Sequence, residues 1–242
     1  MMARRNTRVM ANSAVNQPVV ILGGFLITDE AYAGMAAWIR DRHGCDVRVI
    51  PASRLDWLLT TWTFGWTRLL DRVDAQVREL ASGSPTGRVT LIGHSSGGVM
   101  LRLFLTAEPF GGRRYGGASF CNRLITLGSP HQAVRATPLR AMVDRQFPGA
   151  YCPEVEYLAV AGTLDLTTST ASAFSKRSAA GNYKSIAGEG VMEGDGLVPV
   201  TSALLRGARH LVLEDTAHGG FFGSSWYGSD DRLERWADQI GR

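Results

Sequence analysis

Short apolar runs alternate with amphipathic stretches along the chain from Pro18 onward. The runs are rich in β-branched residues, which predicts strands buried on both faces. They lie at residues 19–24, 46–50, 88–93, 122–128, 155–162 and 209–214. Apolar residues at helical spacing predict helices at residues 30–43, 66–81, 96–107 and 230–240. This alternation predicts an α/β fold with about six mostly parallel strands and helices on both faces.

The length of 242 residues fits one such domain. The pattern predicts a single domain over residues 18–242, preceded by a polar, basic tail at residues 1–17. Two connections, at residues 129–154 and 163–194, are longer than loops of such folds usually are. We expect each to carry function or extra helices. Either one is a candidate for a cap over a site at the carboxyl ends of the strands, and the sequence leaves open which.

Charge and composition narrow the class of partner. The chain has 26 Lys and Arg against 22 Asp and Glu, a net charge of +4. Arg4, Arg5 and Arg8 account for most of that excess, and the arginines elsewhere are scattered. A basic groove for nucleic acid needs clustered charge, so no nucleic-acid partner is expected.

The cysteines and the hydropathy pattern bear on the compartment. Cys45, Cys121 and Cys152 are unevenly spaced and fit neither a disulfide framework nor a zinc signature. We expect Cys121 to pack as a small apolar residue. No apolar run reaches the length of a membrane span, and the N-terminal arginines are not followed by an apolar stretch of signal-peptide length. A reduced, cytoplasmic location is the expectation.

The most informative motif is Gly93-His94-Ser95-Ser96-Gly97, between the predicted strand at 88–93 and the predicted helix at 96–107. A Gly-X-Ser-X-Gly pattern in that setting is typical of a nucleophile on a sharp strand-to-helix turn. Such a turn strains the serine backbone by about 1–3 kcal/mol, and it needs small residues two positions away. Ser95 is the predicted nucleophile, because the glycines are centred on it and not on Ser96. A P-loop is excluded, since no Gly-Lys-Ser/Thr follows.

A serine hydroxyl needs a neighbouring base, which an acid in turn orients. The expected chain order is serine, acid, histidine. Three histidines follow Ser95: His131, His210 and His218. His210 opens a predicted strand, and His131 comes too early for an acid to precede it in the expected place. His218 follows the last predicted strand in a short loop beside glycines, so it is the predicted base.

Two aspartates compete for the role of the acid. Asp195 lies between the fifth and sixth predicted strands in a glycine-flanked turn, and Asp165 directly follows the fifth. Asp215 is too close to His218 in sequence to be the first choice. We favour Asp195, because the acid must reach the histidine from a defined turn. Asp165 remains the second candidate for the acid. If Asp195 is the acid, Asp165 is a capping or solvated residue.

Acyl transfer also needs two backbone N–H groups that bind the developing oxyanion. One is expected from Ser96, the residue after the nucleophile. The other is expected from the glycine-rich loop after the first strand, with Phe25 as first choice and Leu26 as second. A plain strand-ending turn is the alternative for this loop.

From about Val19 onward, the chain resembles the α/β-hydrolase superfamily, and within it lipase-like and inositol-deacylase-like esterases. The resemblance is carried by residues 93–98, Thr126-Leu127-Gly128-Ser129-Pro130-His131, Gly194-Asp195-Gly196-Leu197-Val198-Pro199 and His218-Gly219. The family often has His-Gly at the oxyanion loop, where this chain has Gly23-Gly24. The resemblance implies a reduced α/β-hydrolase fold and supports Asp195 over Asp165.

The resemblance further implies a serine hydrolase that cleaves carboxylic esters through an acyl-serine intermediate, with no metal or organic cofactor. The expected partner is a small-molecule or lipid ester. An acyltransferase or thioesterase would use the same triad, and a non-catalytic binding protein on this scaffold is the alternative from another class. The aromatic stretch at 54–66 either packs in the core or, if exposed, holds an acyl chain or briefly touches a membrane surface. The oligomeric state stays open.

Overall fold

The computed structural model describes residues 17–168 and 170–240. Its strands are β1 Val19–Leu22, β2 Val47–Val49, β3 Val89–His94, β4 Cys121–Leu127, β5 Glu156–Thr163 and β6 Arg209–Glu214. Its α-helices are α1 Ala33–His43, α2 Arg54–Leu59, α3 Thr63–Gly83, α4 Ser96–Leu105, α5 Pro138–Gln146, α6 Ala173–Ala187, α7 Val200–Ala203 and α8 Asp230–Trp236. Short 3-10 helices span Asp29–Tyr32, Gly117–Ser119 and Ala237–Gln239. Every predicted strand and helix is present, with ends that differ by a few residues.

The strands form one all-parallel sheet in the order β2-β1-β3-β4-β5-β6, which confirms the predicted α/β architecture. From β1 the chain first moves to β2 and then returns to place β3 on the other side of β1. The connections that follow β1 and β3 therefore leave in opposite directions. In open α/β sheets, ligands bind in the crevice at such a point, outside the carboxyl ends of the strands.

Helices cover both faces of this sheet. Alternate residues of β1 show the division: Val19 and Ile21 join a core with α1 and α8, whereas Val20 and Leu22 join a core with α3 and α4. All four side chains are fully buried, as a parallel strand covered on both sides requires. The loop that follows β1 is therefore anchored by a strand packed on both faces.

The aromatic stretch at 54–66 is divided between the core and the surface. Trp57 and Trp66 are buried, and each indole N–H donates to a backbone carbonyl at 2.9 Å. Trp62 and Phe64 stay more than half exposed and stack with ring centroids 5.9 Å apart. The core alternative therefore describes Trp57 and Trp66, but not Trp62 and Phe64.

Both long connections contain an extra helix, α5 in residues 129–154 and α6 in residues 163–194. Helix α5 buries Val143 in the core that α4 shares. The buried cysteines carry no disulfide, and Cys121 packs in that same core, as predicted.

The predicted tail at residues 1–17 lies outside the described residues, apart from Gln17. Gln17 is buried, and its side-chain amide donates to Oγ1 of Thr90 at 2.8 Å and to Oδ1 of Asn122 at 2.6 Å. Gln17 therefore packs with the domain. None of the helices in residues 17–168 and 170–240 is long and apolar enough to cross a bilayer.

Candidate active site

Ser95 lies at the apex of a strained turn between β3 and α4. Its backbone has φ 53° and ψ −125°, a combination that costs an L-residue about 1–3 kcal/mol. The Ser95 N–H donates to the carbonyl of Leu127 at 2.9 Å, and the N–H of Gly98 donates to the Ser95 carbonyl at 3.1 Å. The sharp strand-to-helix turn predicted from the motif is present, and it is centred on Ser95.

Glycines allow the backbone to close around this turn. A Cβ on Gly93 would lie 2.4 Å from Cα of Gly98, and a Cβ on Gly97 would lie 2.3 Å from the carbonyl oxygen of Gly23. No side chain fits at such distances. The turn after β3 and the loop after β1 therefore touch directly through their backbones.

Asp195 and His218 form a buried pair. Oδ2 of Asp195 lies 2.8 Å from Nδ1 of His218, and the N–H of His218 donates to the Asp195 carbonyl, also at 2.8 Å. The side chains are 0% and 2% exposed. Asp195 thus holds both the ring and the backbone of the histidine, and Nε2 is the ring nitrogen directed away from the carboxylate.

The Asp195 carboxylate has four hydrogen-bond partners. Oδ1 accepts from the backbone N–H groups of Leu197 at 3.1 Å and Val198 at 2.7 Å, and Oδ2 also accepts from the hydroxyl of Tyr227 at 2.8 Å. Gly128 leaves space for this oxygen, since a Cβ there would lie 2.6 Å from it. A buried carboxylate without such partners would be strongly destabilising, so these contacts fix the carboxylate where it meets the histidine.

The other candidate acid, Asp165, and the other candidate bases, His131 and His210, have different hydrogen-bond partners. Asp165 is exposed, and its carboxylate accepts from the hydroxyl and the N–H of Thr167, which lower the pKa of the Asp165 carboxyl. Nε2 of the buried His131 lies 3.0 Å from Oγ1 of Thr126. Nε2 of His210 lies 2.7 Å from a backbone carbonyl. The structure thus pairs Asp195, and not Asp165, with His218.

The loop after β1 turns tightly beside Ser95; residues 24–27 are called the oxyanion turn below. A backbone hydrogen bond of 3.1 Å closes the turn, and Leu26 at its tip has φ 63°. Within the described residues, no group accepts a hydrogen bond from the backbone N–H of Phe25. Ser96 is the first residue of α4, and N–H groups of a first helical turn have no acceptor within the helix. A Cβ on Gly24 would lie 2.9 Å from Cβ of Ser95, so the turn passes directly beside the serine.

Three hydrogen bonds connect this turn with His218. The N–H of Gly24 donates to Oη of Tyr32 at 2.8 Å, and the same Oη lies 2.7 Å from Nδ1 of His94. Nε2 of His94 lies 2.8 Å from the carbonyl oxygen of His218. Burial, followed by the electrostatic effect of the neighbouring His218 ring, holds the pKa of His94 well below its ordinary value, so the His94 ring is neutral.

Exposed apolar side chains border His218 and the oxyanion turn. The Phe222 ring meets the His218 ring edge-on, with centroids 5.6 Å apart. Phe174, in the first turn of α6, and Phe221 both pack on Phe222, and they are 40% and 69% exposed. Phe25 in the oxyanion turn is also exposed. One of the two long connections therefore reaches the edge of the site through Phe174.

The order of strands and loops decides the fold. The strained serine follows β3, Asp195 lies between β5 and β6, and His218 follows β6, all on one parallel sheet whose connections diverge at β1 and β3. The chain has the α/β-hydrolase fold. Within residues 17–168 and 170–240, only two strands precede the strand of the serine turn, so the α/β-hydrolase sheet of these residues is a reduced one, as the sequence resemblance implied.

Searches of solved structures return α/β hydrolases, lipases and esterases. An alpha/beta-superfamily hydrolase from Xanthomonas campestris pv. campestris is 15% identical, with a TM-score of 0.48, over 82% of this chain and 87% of that one. A CIB-like hydrolase from Thermoplasma acidophilum is 14% identical, with a TM-score of 0.42, over 88% and 83%. Lipase B of Aspergillus fumigatus is 12% identical, with a TM-score of 0.41, over 64% of this chain and 39% of the lipase. No family model and no curated protein matches the chain.

Sequence reasoning gave no role to Tyr32, His94 or Tyr227. Their contacts join distant parts of the chain: 124 positions separate His94 from His218, and 32 separate Tyr227 from Asp195. His94 occupies the variable position of the Gly-X-Ser-X-Gly motif, where the motif itself sets no side chain. Its place beside Ser95 was the only signal, and the sequence pattern could not show the hydrogen-bond partners of its ring.

Proposed function

We propose that the protein is a serine-dependent carboxylic ester hydrolase of the lipase or esterase kind. The proposal rests on the buried Asp195–His218 pair, whose atoms lie 2.8 Å apart, on the same sheet as the strained turn of Ser95. An imidazole oriented by a carboxylate is the group that activates a serine hydroxyl for nucleophilic attack. A binding protein on this scaffold would require neither the backbone strain nor the buried Asp195–His218 pair.

The first half-reaction transfers the acyl group to the enzyme. Oγ of Ser95 attacks the ester carbonyl carbon while Nε2 of His218 takes the hydroxyl proton. The carbonyl oxygen becomes an oxyanion, which we assign to the N–H groups of Ser96 and Phe25; one such donor is worth about 2.7–4 kcal/mol. When the intermediate collapses, the ester C–O bond breaks, and His218 gives its proton to the departing alcohol.

The second half-reaction releases the acid. Water attacks the acyl-serine carbonyl as His218 takes a proton from the water, and collapse returns that proton to Oγ of Ser95. Asp195 accepts from Nδ1–H throughout, which keeps Nε2 as the basic nitrogen and stabilises the imidazolium that forms. No metal or organic cofactor takes part in these steps.

Covalent labelling with a fluorophosphonate probe tests this function. The wild-type protein should gain one label, which peptide mapping should locate at Ser95, and S95A should gain none. S96A is the matched control and should still react, because residue 96 contributes only its backbone N–H. A folded wild-type protein that does not react, or that reacts at another residue, would contradict the proposal.

The acyl part of the ester is proposed to be apolar. Phe174 and Phe221 are exposed beside the ring that contacts His218, and Phe25 is exposed in the oxyanion turn. Apolar surface buried by a bound acyl chain contributes about 25 cal/mol per Å². These side chains therefore favour a medium or long acyl ester over an acetate.

A series of nitrophenyl esters of increasing chain length tests this preference. We expect kcat/KM to rise with chain length, and F221A to flatten the rise while leaving acetate hydrolysis unchanged. W62A removes an exposed aromatic side chain from the 54–66 stretch and serves as the comparison. If W62A flattens the series and F221A does not, the acyl chain lies on the 54–66 stretch instead. Hydrolysis of acetate alone would contradict an apolar acyl group.

A further inference from the structure

The hydrogen bonds around His94 have a defined direction. The N–H of Gly24 can only donate, so Oη of Tyr32 accepts there and has its own proton free for Nδ1 of His94. A neutral imidazole that accepts at Nδ1 carries its proton at Nε2. That proton then points at the His218 carbonyl oxygen, 2.8 Å away, which can only accept. Each donor in the series thus meets an acceptor.

Close packing holds both ends of this series. A Cβ on Gly23 would lie 2.5 Å from the Tyr32 ring, and a Cβ on Gly24 would lie 3.2 Å from Nδ1 of His94. Tyr32 and His94 are 0% exposed. At the other end, the centroids of the His94 and His218 rings are 4.8 Å apart. The oxyanion turn cannot move relative to the base without breaking one of the three hydrogen bonds.

We propose that Tyr32 and His94 are positioning residues, which hold the oxyanion turn and the base His218 at a fixed distance from each other on either side of Ser95. This inference rests on the proposed hydrolase function. His94 directly precedes the nucleophile in the chain, so its contacts lie next to the serine turn. A displacement of about 1 Å between reacting groups can lower the rate about 100-fold, so three short hydrogen bonds that fix these groups matter for the chemical step.

The variant Y32F tests the role of Tyr32, because it removes the hydroxyl and keeps the ring. We expect kcat for a nitrophenyl ester to fall by about 10-fold or more, with KM within about twofold of wild type, since the lost contacts orient reacting groups and do not bind the substrate. Y115F is the matched control. Tyr115 is also buried, and its hydroxyl donates to Asp71 at 3.0 Å in another part of the protein. Y115F should keep the wild-type kcat.

The double variant Y32F/H94F separates a coupled pair from two independent residues. If the two residues act through one series of contacts, kcat of the double variant should equal that of H94F alone. Losses that multiply would contradict the coupling. If wild type reacts with the fluorophosphonate probe and Y32F keeps full kcat, the positioning role is wrong while the hydrolase function stands. If wild type itself does not react, the hydrolase function fails first.

The protonation of His94 gives a readout that needs no enzymatic activity. In ¹⁵N-histidine NMR spectra of the folded wild-type protein, His94 should appear as the neutral tautomer with its proton on Nε2. In Y32F, the Nδ1 resonance should shift, because it loses the Tyr32 hydroxyl. A wild-type His94 with its proton on Nδ1 would reverse the donor order and overturn the inference.

Discussion

The hydroxyl of Tyr227 donates to the same carboxylate oxygen of Asp195 that meets Nδ1 of His218, each contact being 2.8 Å. Tyr227 is fully buried, so water does not replace the hydroxyl when it is removed. A hydrogen bond to a charged group contributes about 1.5–3 kcal/mol. The Asp195 carboxylate is therefore held in place from a loop beyond the last strand.

Y227F should destabilise the protein by about 1.5–3 kcal/mol, because a buried carboxylate oxygen loses a donor. It should also lower kcat several-fold, because the carboxylate is then free to turn away from the imidazole. Urea unfolding and ester hydrolysis measure the two effects. Y183F is the comparison, since Tyr183 accepts from the N–H of Gly196 and does not touch the carboxylate. Wild-type behaviour of Y227F in both assays would contradict this role.

The backbone strain at Ser95 predicts that glycine at this position gives a more stable protein than alanine does. S95G should be inactive, yet more stable than S95A by about 1 kcal/mol or more, because glycine adopts φ 53° without the steric penalty that any Cβ incurs. S95A keeps the Cβ and with it the strain. The free energies of unfolding of the two inactive variants give the comparison directly. If S95A is the more stable one, the turn is not strained.

Replacement of Asp195 and of Asp165 by asparagine should have very different effects on kcat. D195N should lower kcat by about 10⁴-fold, because the amide no longer favours the histidine tautomer with its proton on Nδ1. D165N changes an exposed side chain held by Thr167, and should leave kcat within about twofold of wild type, as surface changes usually do. Steady-state hydrolysis of a nitrophenyl ester measures both. A severe loss in D165N alone would reverse the assignment.

Buried histidines predict a loss of stability in weak acid. Burial holds the pKa of His94 and of His131 well below the ordinary value. Below about pH 6.5 the unfolded chain binds protons at these residues and the folded state does not, so stability present above that pH is lost as the pH falls. The loss should be about 1.4 kcal/mol per pH unit for each histidine.

Urea unfolding between about pH 7.5 and pH 5 measures this loss. Unfolding of H94F should take up about one proton fewer than unfolding of the wild type, so its unfolding free energy should depend less steeply on pH. The reason is that one of the two histidines is no longer present to titrate. An unfolding free energy that does not change over this range would show that both histidines accept protons in the folded state.

Local patterns predicted the parts of the fold that depend on neighbouring residues. The β-branched run at β1 and the glycines around Ser95 each impose a backbone geometry on their own segment, so the strand and the serine turn were found from the sequence. The choice of Asp195 came from its glycine-flanked turn and the family resemblance, and the structure pairs it with His218.

The contacts that escaped sequence reasoning depend on the sheet as a whole. Tyr32 meets His94 only because β1 and β3 are neighbours, and Tyr227 meets Asp195 only after β5 and β6 have paired. The sequence also could not show which aromatic side chains of the 54–66 stretch are exposed. Trp57 and Trp62 belong to one aromatic run, and only packing against the rest of the molecule buries the first and exposes the second.

His218 follows the edge strand of the sheet, whereas Ser95 follows an interior strand. Every residue of β3 is buried, but in β6 only Leu213 is, and Val212 is 40% exposed. Edge elements with few buried contacts open at lower free energy than the core. Fraying of β6 would carry His218 away while the strained serine turn stayed folded. The protein would then lose its reactivity before it lost its structure, and would regain it when one strand docked again.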